Sequence, residues 1–337
     1  MQNKQLKTAP LNVGAVFCLK PIIFVRTKNK MENLNFSVTI LGSNSAIPLF
    51  GRHPTAQVIN HLHRYFLTDC GEGTQIQLRK YKIRYSKINH IFISHLHGDH
   101  FYGLIGLITS FHLLGREKPL HVYGPEGIKE IIEIQLQATN STLIYPVHFH
   151  VVNTEISILV YEDEFLEIST IPMNHRIPTC GYLFREKPRD RKMKPGIIAR
   201  LKIPVELIPG IKKGQDFTDL TGKIHPNNKI TLDPLPPRTY AFCSDTTYQE
   251  STIEIVRNAG LLYHEASFMH EHQELAREKF HSTTVEAATL AMKAKVKKLI
   301  IGHYSARYED LQPLLAEAQS VFPETSLAIE GEKFEVE

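Results

Sequence analysis

The sequence predicts an α+β fold in which two β-sheets pack face to face with helices on the outside. Short alternating or β-branched apolar runs recur along the chain and are bounded by Gly, Pro, Asn and Asp, as strands of a layered sheet require. Helical patterns with their own start signals lie between and after them. The chain has 337 residues, 42% of them hydrophobic and 22% charged, which suits a globular protein with a substantial core. No run of 18 apolar residues occurs, so no membrane span is expected.

Residues 35–41 (NFSVTIL) alternate and read as the first strand, and 42–48 as a turn-rich loop. Residues 56–60 and 65–68 read as further strands. Asp69-Cys70-Gly71-Glu72-Gly73-Thr74-Gln75 breaks the second of these, and a helix over about 74–81 follows. Residues 91–93 form a short buried strand, and 101–114 a helix. Residues 120–123 read as a strand, and Pro125 suits the first turn of a helix running to Ala138. Residues 147–152, 156–161 and 165–172 read as an antiparallel set. Residues 185–217 hold four prolines and no sustained period, which predicts a protruding arm or long loop. Regular structure resumes with strands at 240–244, 261–264 and 298–301 and helices at 252–259 and 313–321. Thr283 and Glu286 make a capping box for a helix through about Ala294. No internal repeat stands out.

Net charge is only +4, but it is unevenly spread. Residues 1–30 carry six bases and no acid. Residues 185–213 carry ten bases against Glu186, Asp190 and Glu206, and the rest of the chain is acidic by nine. Its own field repels a polyanion, so any nucleic-acid contact belongs to the basic segments. Residues 1–33 read as an N-terminal extension without fixed structure, ahead of a domain spanning 34–337. The four cysteines (Cys18, Cys70, Cys180, Cys243) form no CxxC pair. They read as small hydrophobes of a reducing compartment.

The chemistry concentrates in Ser94-His95-Leu96-His97-Gly98-Asp99-His100, where an apolar strand stops. Imidazole and carboxylate are ligand types that zinc takes. His95 and His97 can face one ion while Asp99 and His100 turn to a second. A two-metal site needs about six or seven ligands. His175, Asp245 and His303 each close an apolar strand further along. His95, His97 and His175 would hold one zinc, Asp99, His100 and His303 the other, with Asp245 bridging through its two oxygens. Asp69 would accept the free N–H of a ligating imidazole and fix its tautomer.

His95-Leu96-His97-Gly98-Asp99-His100 resembles the HxHxDH signature of the metallo-β-lactamase superfamily. Together with Asp69–Gln75, Asn174-His175-Arg176-Ile177-Pro178, Cys243-Ser244-Asp245-Thr246, His264-Glu265-Ala266 and Gly302-His303-Tyr304-Ser305-Ala306-Arg307-Tyr308, it resembles ribonuclease Z, the tRNA 3′-processing endoribonuclease, in its short bacterial-type form. The likeness runs from about residue 35 to 337. It implies an αββα sandwich, two Zn²⁺ per subunit, precursor tRNA as substrate, a tRNA ending in 3′-OH and a trailer starting with 5′-phosphate. It also implies a homodimer in the cytoplasm. The basic arm lies where this family inserts its substrate-binding exosite, with Lys212 and Lys213 as tRNA contacts. His264, oriented by a carboxylate neighbour, is the expected acid for the leaving 3′ oxygen. Asp99 is expected to serve catalysis as well as ligation, and Ser305 and Arg307, with Tyr308 beside them, to hold phosphate. His281 reads as no more than a helix-start residue. The rival functions are another phosphodiesterase of the superfamily, acting on a small ester or on DNA, and a non-catalytic RNA-binding protein.

Overall fold

The computed structural model describes residues 35–337. The expectation for residues 1–33, and Cys18 with it, lies outside the described residues. Two seven-stranded sheets form the body. The first runs, from edge to edge, Lys333–Glu335, Phe36–Gly42, Ala56–His61, Arg64–Thr68, Ile88–Phe92, Leu120–Gly124, Val147–Val151. The second runs Leu159–Glu162, Leu166–Pro172, Cys180–Glu186, Thr239–Cys243, Leu261–Glu265, Leu299–Gly302, Thr325–Leu327. Read in these orders, each sheet has three antiparallel pairings followed by three parallel ones. One topology is thus used twice, although no sequence repeat betrays it.

Strand alternation builds the layers. Phe36, Val38, Ile40, Phe66 and Phe92 of the first sheet meet Tyr182, Phe184, Tyr240 and Phe242 of the second in one buried cluster. Phe92 stands edge-on to Tyr182 with ring centroids 5.2 Å apart. The opposite parity of the first sheet, Leu41, Val58, Leu67, Ile91 and Val122, packs with Leu78, Leu104, Leu107, Ile108 and Ile132 of helices Thr74–Lys80, Gly103–Leu113 and Ile128–Ala138. Ala287, Leu290, Ala291, Leu314 and Ala318 of helices Thr284–Ala294 and Gln312–Val321 join the cluster of the second sheet. The result is the expected αββα sandwich. The capping box forms: Thr283 Oγ1 accepts from Glu286 N, and Glu286 Oε2 accepts from Thr283 N. Cys70, Cys180 and Cys243 are buried free thiols. No described helix is long and apolar enough to cross a membrane.

Four elements differ from expectation. The helix expected over 101–114 is two, Gly98–Phe101 and Gly103–Leu113, so Asp99 and His100 stand in a helical turn rather than a loop. Gly103 makes the junction possible, since a Cβ there would lie 2.0 Å from the Gly71 carbonyl oxygen. Val147–Val151 joins the first sheet in parallel with Leu120–Gly124, because helix Ile128–Ala138 supplies the crossover. Cys180–Glu186 is a strand the sequence hides, being buried on nearly every position and so without alternation.

The fourth is the arm. The region is a folded insertion spanning 187–238, not a loop ending at 217. Helices Ile197–Leu201, Ile208–Lys212 and Asn227–Ile230 and two short ladders enclose Ile197, Ile203, Ile211, Phe217 and Ile230. Both stems meet at one buried carboxylate. Glu186 accepts from Arg238 Nε and Nη2 at 3.0 and 2.8 Å, from Arg189 Nη2 at 2.5 Å and from the buried His61 ring at 3.0 Å. Burial pushes this carboxyl up, but the His61 and Arg238 bonds outweigh it and hold it below its usual range. Glu186→Gln is expected to cost about 1–3 kcal/mol and to raise hydrogen exchange first across 187–238. Equal loss of protection over both sheets would contradict that role.

Candidate metal centre

All seven expected ligands converge at one end of the sandwich, where strands of both sheets finish. His95, His97, Asp99 and His100 follow Ile88–Phe92; His175 follows Leu166–Pro172; Asp245 follows Thr239–Cys243; His303 follows Leu299–Gly302. Asp69, just past Arg64–Thr68, and His303 both take left-handed backbone, φ 54° and 60°. Non-glycine residues rarely adopt that conformation, and when they do the surroundings hold them there.

His97 Nδ1 lies 3.0 Å from His95 Nε2 and 3.1 Å from His175 Nε2. His100 Nε2 faces His303 Nε2 at 3.2 Å, and Asp99 Oδ2 lies 3.3 Å from the latter. Asp245 stands between the two groups. Its Oδ2 is 3.6 and 3.9 Å from His95 and His175, and its Oδ1 is 3.3 and 3.2 Å from His100 and His303. Their donor atoms group as His95, His97, His175 and Asp245, and as Asp99, His100 and His303.

Outer contacts decide which nitrogens face inward. His100 Nδ1–H donates to Asp69 Oδ2 at 2.7 Å, and His175 Nδ1–H to the Phe280 carbonyl at 2.9 Å. Ser267 Oγ is 2.9 Å from His303 Nδ1. The Nε2 lone pairs of His100 and His303 therefore face each other, that of His175 faces His97 Nδ1, and the buried Asp245 Oδ1 has no hydrogen-bond donor. Facing lone pairs are repulsive by themselves and suit a shared cation. Two imidazoles on one zinc ion lie about 3.3 Å apart, given bonds of about 2.0–2.1 Å and tetrahedral angles. The residues fit a divalent metal. Asp69 also accepts from Ser94 N and Ser94 Oγ at 2.7 and 2.9 Å. Asp69→Ala is expected to weaken metal affinity about 10–100-fold, read by competition with a chromophoric chelator.

The centre opens to a cleft of about 360 Å³ lined by His97, Asp99, Asp245, His303, Arg176 and His281 among others. His281 Nδ1–H donates to Glu265 Oε1 at 2.9 Å. Burial lowers the basicity of this imidazole, but the Glu265 carboxylate outweighs it and raises the pKa to about 9. Glu265 is anchored in turn by Thr246 N, Ser282 N and Ser267.

A family model described as "Anti-Pycsar protein Apyc1" matches residues 36–168. Ribonuclease Z of Porphyromonas gingivalis W83 is 46% identical over 295 residues, covering 88% of this chain and 97% of that protein. Ribonuclease Z of Bacteroides thetaiotaomicron is 45% identical over 296 residues, covering 88% of this chain and 94% of that protein. The chain belongs to the ribonuclease Z family. The short form of human tRNase Z superposes with a TM-score of 0.64 at 26% identity, over 89% of this chain and 99% of that one. YhfI of Bacillus subtilis, a metallo-β-lactamase fold protein, gives 0.62 at 19%, over 89% and 99%, a likeness of fold. As a member of that family, the chain is a hydrolytic nuclease of the metallo-β-lactamase superfamily.

Not every expected residue of the chain reaches the cleft. His264 does not: its ring is fully buried, with Nδ1 on the Glu265 carbonyl at 2.6 Å and Nε2 without a partner. His264 and Glu265 are consecutive on strand Leu261–Glu265, so their side chains leave opposite faces, and only Glu265 faces the metal cluster. The ring expected to act as the acid thus lies outside the cleft, whereas His281 lines it. Strand parity, with His281 just before the Thr283 cap, was the available signal. Ser305, Arg307 and Tyr308 lie outside the cleft lining, and Arg176 is the cation within it. Tyr308 Oη instead accepts from Met269 N at 3.1 Å. Lys212 and Lys213 end helix Ile208–Lys212 of the insertion, also outside that lining.

Proposed function

We propose that this chain cuts the 3′ trailer from precursor tRNA, leaving 3′-OH on the tRNA and 5′-phosphate on the trailer, as a cytoplasmic homodimer with two Zn²⁺ per subunit. The observation that carries it is Asp245, one carboxylate oxygen turned to each half of the histidine cluster at the floor of an open cleft. When bound, the two cations supply a nucleophile at neutral pH and neutralise the phosphate.

The chain's own groups do the rest. Asp99 faces the cleft, its Oδ2 fixed by Ala46 N at 2.7 Å, and is placed to take the proton of the attacking water. Attack at phosphorus breaks the bond to the 3′ oxygen, which leaves with the tRNA and needs a proton. His281 gives it from Nε2, since Glu265 holds Nδ1–H. Arg176 meets the phosphate charge from the rim. Lys212 and Lys213 grip the folded tRNA through its phosphates, at a distance from the chemistry.

Reversing both charges (Lys212→Glu with Lys213→Glu) is expected to raise KM for precursor tRNA about tenfold at moderate salt and to flatten its salt dependence, with hydrolysis of bis(p-nitrophenyl) phosphate unchanged. Ile76, Leu113 and Leu114 are exposed around an apolar cleft between helices Thr74–Lys80 and Gly103–Leu113, a face a second copy would cover. The function is tested with a precursor tRNA labelled in its trailer. One cut, with a ligatable 3′-OH on the tRNA, supports it; stepwise shortening, or turnover of small esters alone, overturns it.

A further inference from the structure

A second concentration of imidazoles lies away from the catalytic cluster. His90, His121 and His148 are register partners on three neighbouring parallel strands, and His150 stands one pleat beyond His148, opposite Tyr123. Parity puts all four on one face. His90 and His121 stack with centroids 5.0 Å apart; His121 lies 5.0 Å from His148 and 5.3 Å from His150. His90 is walled in by Phe66 and Tyr161. His121 and His150 are half-buried and His148 is exposed, so the row opens to solvent along the edge strand Val147–Val151.

Within this row His121 Nδ1 faces His150 Nε2 at 3.0 Å. Two neutral imidazoles in that contact share a single proton. The spacing equals that of His95 and His97 in the catalytic cluster. Two imidazoles bound to one ion at about 2.0–2.1 Å are about 3.0–3.3 Å apart for angles near 95–110°. The separation therefore matches that of two nitrogens on a common cation, which would take the place of the shared proton. Tyr123 stacks on His150 at 4.5 Å and holds its ring. His148, exposed beside His121, can supply a third nitrogen by a side-chain rotation. An all-imidazole donor set selects copper(II), nickel(II) or zinc(II) over calcium and magnesium, which prefer oxygen. The neighbouring charges are already engaged: Arg116 donates to the Ile88, Lys118 and Pro119 carbonyls and to Asn89, and Asp163 pairs with Arg64.

We propose that His121 and His150, with His148 beside them, form a further transition-metal site on the edge of the first sheet, separate from the catalytic centre. The test is a copper(II) titration of the zinc-loaded full chain, followed by electron paramagnetic resonance. One further equivalent should bind per chain, its spectrum split by two or three imidazole nitrogens. The paired change His121→Phe with His150→Phe keeps the stacked rings but removes the nitrogens. It should abolish that equivalent and leave precursor-tRNA cleavage unchanged. Copper bound only in exchange for the catalytic zinc, or an unaltered spectrum in the paired variant, would overturn the site.

Discussion

Asp245→Asn should reduce cleavage of precursor tRNA by on the order of 10³-fold or more and lower the metal content per chain. The substitution keeps the size of the side chain, so the fold should persist. What changes is the pair of anionic oxygens, one 3.2 Å from His303 Nε2 and one 3.6 Å from His95 Nε2. An amide offers one neutral oxygen and one NH2 group, and the NH2 would point at a cation. The expected signature is joint loss, with both cation sites weakened by a single change. Metal analysis after gel filtration, beside single-turnover rates, reads both. Full metal content with full activity would remove Asp245 from the bridging position.

His281→Ala should slow precursor-tRNA cleavage about 10²–10⁴-fold with metal content intact. A p-nitrophenolate leaving group needs little protonation, so hydrolysis of bis(p-nitrophenyl) phosphate should fall far less. That contrast separates loss of an acid from general damage to the site. Glu265→Gln should act in the same direction, because Glu265 holds His281 Nδ1–H at 2.9 Å and four other groups fix Glu265. His264→Ala should lower thermal stability, since it empties a fully buried position, but leave the ratio of the two substrates unchanged. If His264→Ala shifts that ratio and His281→Ala does not, the acid is His264 after all.

The convergence of the seven side chains was legible because four sit in one short His/Asp run after a strand and His175, Asp245 and His303 each follow the end of another, where the sheets hold them rigidly. Asp69 was legible for the same reason, with its partner His100 found only in three dimensions. The acid was not. Glu265 and His281 are sixteen residues apart, and the chain turns through a left-handed Phe280 before His281 reaches the cleft. The two-layer fold could be read from alternation, but the strand Cys180–Glu186 could not, because burial on nearly every position erases the period. Prolines hid the insertion's small core, whose five buried side chains are scattered over short elements. The twofold use of one topology lies in strand pairing, which composition and periodicity do not encode.

The most direct test strips the chain with chelator and titrates Zn²⁺ back while the single-turnover rate on precursor tRNA is followed. The rate should be near zero at the start and reach its plateau at two equivalents per chain. Cleavage that survives chelation, or a plateau at one equivalent, would contradict a centre in which Asp245 joins two cations.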